Sequence, residues 1–110
     1  MPLSNQPSKP AGFNGPAHMP GGVVDNGIRT TFGRDQVIGA ATIPTGLPSV
    51  TGAIASLETI GVAPGDPFVV QAKPSATPGS IDVTVKQDDG TNATAAVFVD
   101  WAAFQAGVWP

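Results

Sequence analysis

The sequence predicts a small all-β protein: an antiparallel β-sandwich, jelly-roll-like, with an extended N-terminal arm. Short apolar runs alternate with turn residues, and 14 glycines and 12 prolines recur through the 110 residues. No long amphipathic helical pattern is present, and short strands with frequent turn signals are typical of sandwiches. The composition changes near Gly22, so we predict an arm over residues 1–22 and a β-sandwich domain over residues 23–110.

The arm is rich in residues that do not build a core. Residues 1–22 contain five prolines and four glycines, and too little apolar surface to offset the entropy of ordering. We therefore expect another protein chain to hold it. Phe13 has no local core and is predicted to dock into a pocket on a neighbour. The arm residues predicted to contact a partner are Pro7, Pro10, Phe13, Pro16 and His18.

Six apolar runs bounded by turn residues are predicted as strands: Val23–Thr31, Gln36–Ile43, Ser49–Glu58, Pro67–Lys73, Ser80–Gln87 and Ala93–Phe104. The first is one strand, or two half-strands around the hairpin signal Asn26-Gly27. The run Ser80–Gln87 alternates most cleanly, with Ile81, Val83 and Val85 on one side. Asp88-Asp89-Gly90 is predicted to close a hairpin after it.

The aromatic side chains divide between core and surface. We expect Phe68, Trp101 and one of Phe98 or Phe104 to fill the core. Phe98 and Phe104 have the opposite parity to Trp101, so one set faces away from the core in a regular strand. Outward aromatic side chains are interface candidates. The predicted interface outside the arm is Phe98, Phe104 and Trp109.

Charge and composition exclude several classes. The net charge is −3 and the five basic residues are scattered, which argues against nucleic-acid binding. No apolar stretch approaches the ~20 residues of a membrane span, and no signal-peptide core is present, so synthesis in the cytoplasm is expected. Charged residues make up 12%, about half the usual ~25%. Neighbouring subunits are expected to cover much of the surface.

The sequence offers no set of residues for catalysis, so we expect no enzyme activity and no cofactor. Cysteine is absent, and the single histidine, His18, has no metal-ligand partners at suitable spacing. Asp82, Asp88 and Asp89 cluster around one predicted hairpin, where oxygen ligands could bind calcium. Asp-Gly is also an ordinary turn choice, and no calcium-loop motif is present.

Several segments carry a resemblance to a known group of proteins. They are Ile43-Pro44-Thr45-Gly46-Leu47, Ser49-Val50 with Ala53-Ile54-Ala55, Pro78-Gly79-Ser80-Ile81-Asp82-Val83 and Val97-Phe98-Val99-Asp100-Trp101-Ala102-Ala103. The pattern, over roughly Gln36–Gly107, resembles small β-sandwich virion proteins of tailed bacteriophages, in which a V-x-W-x-A strand closes the domain. Gly107 comes a few residues later than in that pattern. The resemblance implies a sandwich outside a capsid or in a tail appendage, and no catalytic residues.

The leading expectation is a capsid decoration, or cement, protein on the virion surface. Its partners would be the major capsid protein and other copies of itself, clamped by the arm. A homo-oligomer is expected, and docking sites at the three-fold positions of shells suggest a trimer by analogy. The alternative is a receptor- or glycan-binding module of a tail fibre.

Overall fold

The computed structural model describes residues 17–19, 22–25 and 27–107, which form eight strands in two antiparallel sheets. The predicted all-β sandwich is confirmed. Sheet A has the strand order β1-β2-β3-β8-β5 and comprises β1 (Ala17–Met19), β2 (Gly22–Asp25), β3 (Ile28–Val37), β5 (Gly52–Leu57) and β8 (Val97–Ala106). Sheet B has the order β4-β7-β6 and comprises β4 (Ala40–Pro44), β6 (Val69–Pro74) and β7 (Ser80–Lys86).

The first predicted strand is two strands joined at a tight turn, as the Asn26-Gly27 signal allowed. β2 pairs with β3 in a register that sets Asp25 opposite Ile28, and Gly27 has a φ of 75°. Glycine adopts this left-handed backbone conformation without steric cost. β3 then continues to Val37, beyond the predicted end, because it pairs with β8 along its whole length.

The prediction of one strand over Gln36–Ile43 is wrong. The chain leaves sheet A after Val37, turns at Ile38-Gly39 and enters sheet B at Ala40. Gly39 has a φ of 74°, which ends the strand, and its carbonyl accepts a 2.7 Å hydrogen bond from the Val85 amide of β7. The turn therefore links the two sheets along one side of the sandwich.

The turn predicted at Asp88-Asp89-Gly90 exists, but it does not pair β7 with the last strand. The Gln87 amide donates to the Thr91 carbonyl at 2.7 Å, and Gly90 has a φ of 87°. Beyond the single bridge between Lys86 and Asn92 the chain crosses to sheet A. There β8 becomes a central strand between β3 and β5.

The core lies between the two sheets. Its centre is β7, where Ile81, Val83 and Val85 are buried on the face that alternation predicted. Burial of each such side chain contributes about 1.5–3 kcal/mol. The other buried hydrophobic residues are Val37, Ile43, Leu47, Ala93, Val97, Val99, Trp101 and Ala103.

Among the described residues, Trp101 is the aromatic residue of this core, as predicted, but the other aromatic assignments to the core are wrong. Phe68 is 43% exposed and lies just before edge strand β6 begins. Neither Phe98 nor Phe104 fills the core. Both have the outward parity on β8, so the alternation that buries Trp101 turns them away from sheet B.

Part of the segment predicted as an arm pairs within its own chain. Ala17–Met19 forms edge strand β1, antiparallel to β2, and β2 itself begins at Gly22. Residues 1–16 lie outside the described residues. The sandwich body is therefore described from β1 onwards, and the boundary of the arm stays a prediction.

Candidate interaction surface

The outer face of sheet A is built by the alternation of its three longest-paired strands. On β8, Val97, Val99, Trp101 and Ala103 are buried, so Phe98, Asp100, Ala102 and Phe104 face outward. The pairing of β8 with β3 and β5 sets outward residues in rows across the sheet. The rows are Thr30–Phe104–Gly52, Phe32–Ala102–Ile54 and Arg34–Asp100–Ser56.

Trp101 holds this alternation in place from the inner side. Its indole packs over Gly33 of the neighbouring strand, where an added Cβ would overlap the ring. Its Nε1–H donates a 2.7 Å hydrogen bond to Asp35 Oδ2. A tryptophan whose N–H is satisfied by a carboxylate can be buried without a polar penalty. The orientation of Ala102 and its neighbours toward solvent follows from this buried anchor.

The middle row carries the most exposed apolar side chains of the face. Phe32 is 69% exposed and Ile54 is 62% exposed, and the small Ala102 lies between them. Together they line a shallow, largely apolar groove of about 340 Å³, which we call the A-face groove; Ser56 and Asp100 form its polar side. Contiguous exposed apolar surface of this kind is typical of protein interaction sites.

A charged cluster borders the groove. Arg34 Nε donates to Glu58 Oε2 at 2.5 Å and Nη2 donates to Oε1 at 3.1 Å, a bidentate pair between β3 and the end of β5. The guanidinium carbon lies 3.7 Å from the centre of the Phe98 ring, a cation–π contact. These contacts order the long Arg34 side chain and cover part of Phe98, which is 38% exposed.

Asp100 completes the cluster and titrates with Glu58. The hydrogen bond from Arg34 lowers the pKa of Glu58 below its ordinary value. Desolvation by neighbouring groups, together with a hydrogen bond to Glu58, raises the pKa of Asp100. The cluster therefore sets two carboxyl groups against one guanidinium, beside an apolar groove.

A second concavity of about 370 Å³ lies where β3 ends and β8 begins. Its lining includes Glu58, Asp66, Ile60 and Phe98. The two carboxylates are already engaged: Glu58 binds Arg34, and Asp66 Oδ2 accepts the Ala63 amide at 3.2 Å. Its acidic groups therefore serve the surrounding loops, and the A-face groove is the better candidate for a partner.

The structure brings together some of the predicted interface residues and leaves others undescribed. Phe98 and Phe104 share the outer face of sheet A, as their parity predicted. The backbone of His18 lies in β1. The predicted contact residues outside the described part of the chain are Pro7, Pro10, Phe13, Pro16 and Trp109.

Sequence reasoning missed the two residues that dominate the face, Phe32 and Ile54. Phe32 falls one residue beyond the predicted end of the first strand, so that strand does not include it. The parity of Phe32 along Ile28–Val37 would have placed it outward. Its adjacency to Ile54, 22 positions later in the sequence, depends on both strands pairing with β8 and has no local signal.

The acidic residues considered for calcium do not converge. Asp82 is on the outer face of sheet B and accepts a 2.9 Å hydrogen bond from Thr42 Oγ1. Asp89 lies in the turn after β7, where its Oδ1 accepts from the amide and the hydroxyl of Thr91. Among the described residues, no group of three or more His, Cys, Asp or Glu side chains is placed to hold a metal ion.

This chain was compared with family models, curated proteins and solved structures. No protein-family model, curated protein or solved structure matches this chain. Within the described residues, no helix is long and apolar enough to cross a membrane.

Proposed function

We propose that this chain is a capsid decoration protein, which binds the outside of a tailed-phage head and stabilises the shell. The observation that carries the proposal is the outer face of sheet A, where Phe32 and Ile54 are exposed side by side. A small domain that leaves large apolar side chains in contact with solvent gains free energy when a partner covers them. The low share of charged residues, 12%, favours the same interpretation.

The residues that carry the resemblance to phage virion proteins support the body of the domain. Trp101 is the buried aromatic anchor of sheet A. The segment Thr45–Leu47 is tied to the β6–β7 turn, because Thr45 donates to the Gly79 carbonyl through its amide at 2.9 Å and its hydroxyl at 2.7 Å. These residues stabilise the sandwich fold. In the proposal, the partner is bound by the outer face of sheet A and by the arm.

In this proposal both the β-sandwich body and the arm contact neighbouring subunits. The outer face of sheet A docks by apolar contact against neighbouring subunits of the decorated shell, which include other copies of this chain, with the Arg34–Glu58–Asp100 cluster giving orientation at its border. The arm spans to adjacent subunits, and its prolines, Pro7, Pro10 and Pro16, reduce the entropy lost on docking. Each bound copy then ties neighbouring capsid subunits together and raises the temperature at which the shell ruptures.

The test is binding to heads that lack the protein, assembled from the major capsid protein of the phage that encodes it. The full chain is expected to bind with the stoichiometry of the lattice and to raise the rupture temperature. Phe32→Ser should weaken binding by about tenfold or more, from the lost apolar burial. The matched control is Val62→Ser, since Val62 is 71% exposed but lies in the β5–β6 loop. Equal effects of the two variants, or no binding by the full chain, would contradict the proposal.

A glycan-binding module of a tail appendage is the second candidate. The observation in its favour is an aromatic side chain, Phe32, beside the polar Arg34 and Asp100 on an open face. Aromatic platforms with polar neighbours suit sugar rings, which are apolar on one face and polar at the edge. A glycan array probed with the full chain separates the candidates, because hits that Phe32→Ser abolishes, without binding to heads, would favour the appendage.

A further inference from the structure

We infer that the A-face groove receives Phe13 from the arm of a second copy of this chain. The inference rests on the proposed role as an assembly protein and specifies which surface the arm binds. The groove is bounded by Phe32 and Ile54 with Ala102 as its floor, and its volume is about 340 Å³. An apolar cavity of about 150 Å³ already accepts a benzene ring. One aromatic side chain with its flanking backbone therefore fits the space.

The arm supplies that side chain and complementary charge. Phe13 is the single aromatic residue of residues 1–22, and the same segment contains Lys9 but no Asp or Glu. Asp100 lines the groove, and its neighbours Arg34 and Glu58 lie beside it, so that two carboxyl groups accompany one guanidinium there. A weakly basic segment with an aromatic anchor is attracted to an apolar groove with an acidic border.

The strand register sets the groove well away from Ala17, where β1 begins. Ala17 of β1 shares a row with Arg29 through β2, and Phe32 is three residues further along β3. Ala102 is thus three strand spacings across and three residues along from Ala17, a separation of about 17 Å.

The direction of β1 makes the gap wider. β1 is entered from the end of sheet A where Ile28 pairs with Ala106, which is the end away from the groove. Phe13 is four residues before Ala17, and a reversal of the chain uses about four residues in one turn. Even four fully extended residues span only about 14 Å, so an arm that first reverses falls short of the groove, and the geometry favours the arm of another copy. Arms exchanged in this way link copies laterally.

The absence of cysteine in the sequence allows a direct test by disulfide trapping. Asn14→Cys places a thiol beside the intact Phe13, and Ser56→Cys places one at the side of the groove. The two single-cysteine full-length variants are mixed, oxidised with copper phenanthroline and analysed by intact mass spectrometry. The expected main product is the mixed disulfide, which can form only between copies. Adding Phe13→Ala should lower its yield by about tenfold or more, and Phe13→Leu should restore part of it.

The matched control pairs Asn14→Cys with Thr42→Cys, which is exposed on the outer face of sheet B. A mixed product no more abundant than in this control would overturn the inference. So would a predominance of the Ser56→Cys homodimer, which indicates face-to-face pairing of the grooves. Trapping is measured without capsids, so a chain that binds heads but gives no mixed disulfide retains the proposed function and loses this inference. A chain that forms the mixed disulfide but does not bind heads retains this inference and contradicts the proposed function.

Discussion

Substitution of Gly33 tests whether the packing of Trp101 fixes the orientation of β8. Gly33 lies opposite Trp101 in the β3–β8 register, and a Cβ there would overlap the indole ring. Trp101 cannot give way easily, because its Nε1–H is bound to Asp35 and its ring is buried. Overpacking of this kind costs about 1–3 kcal/mol, whereas replacing a strand glycine by alanine regains about 0.5–1 kcal/mol. Gly33→Ala should therefore lower the free energy of unfolding, by up to about 2.5 kcal/mol.

The assay is urea unfolding followed by circular dichroism, with Gly52→Ala as the matched control. Gly52 is also a strand glycine of sheet A, but on its outer face, where an added Cβ would lie 3.3 Å from Phe104 Cδ2. That ring borders solvent and can shift, so the control should change stability by no more than about 0.5 kcal/mol. If both variants are as stable as the parent protein with the same urea dependence, the indole does not fix the strand.

Substitutions at three further sites test the hydrogen bond that anchors Trp101, the charged cluster and a loop. Asp35→Ala leaves the Trp101 N–H without its acceptor and should cost about 1–3 kcal/mol in urea unfolding, while Asp35→Asn should cost less. Desolvation is the larger cause of the raised pKa of Asp100, and the carboxylate of Glu58 is the second. Glu58→Gln removes that carboxylate, so NMR titration should show a lower pKa for Asp100. A group whose pKa is raised in the folded state stabilises the protein below its unfolded pKa, and this stability is lost as the pH rises through the folded pKa. The Glu58→Gln variant should therefore lose less free energy of unfolding than the parent protein as the pH rises through the pKa of Asp100. An unchanged Asp100 titration would contradict the coupling between the two carboxyl groups. Gly79→Ala should lower the melting temperature, since a φ of 80° costs alanine about 1–2 kcal/mol and its Cβ would overlap a backbone carbonyl of the β4–β5 loop; an unchanged melting temperature would show that the turn relaxes.

Local signals in the sequence predicted the elements that depend on a few neighbouring residues. The alternation of Ile81, Val83 and Val85 predicted both a strand and its buried face, and the structure confirms both. Asn26-Gly27 predicted a hairpin, and β2 and β3 pair across it. Gly39 was missed because a single glycine inside an apolar run does not reveal its φ before the strand is seen to end there.

Non-local pairing accounts for the errors. The turn at Asp88-Asp89-Gly90 has the composition of a hairpin, yet β8 pairs with β3 and β5 in the other sheet. Phe68 has the apolar character of a core residue, but it lies before an edge strand and is exposed. In both cases the local pattern is present as predicted, but residues distant in the sequence determine which strand or side chain packs beside it.

The sequence by itself determined the all-β class, the strand-forming runs and the opposite parity of Phe98 and Trp101, because period-two alternation and turn chemistry act over a few residues. Tertiary structure alone decided that Phe32, Ala102 and Ile54 form one groove. It also decided which side of sheet A faces solvent, since sheet B covers the face that holds Trp101. The physical reason is that backbone hydrogen bonding along a strand is nearly independent of side-chain identity. Partner strands are therefore selected by the burial of the whole core, which no single segment encodes.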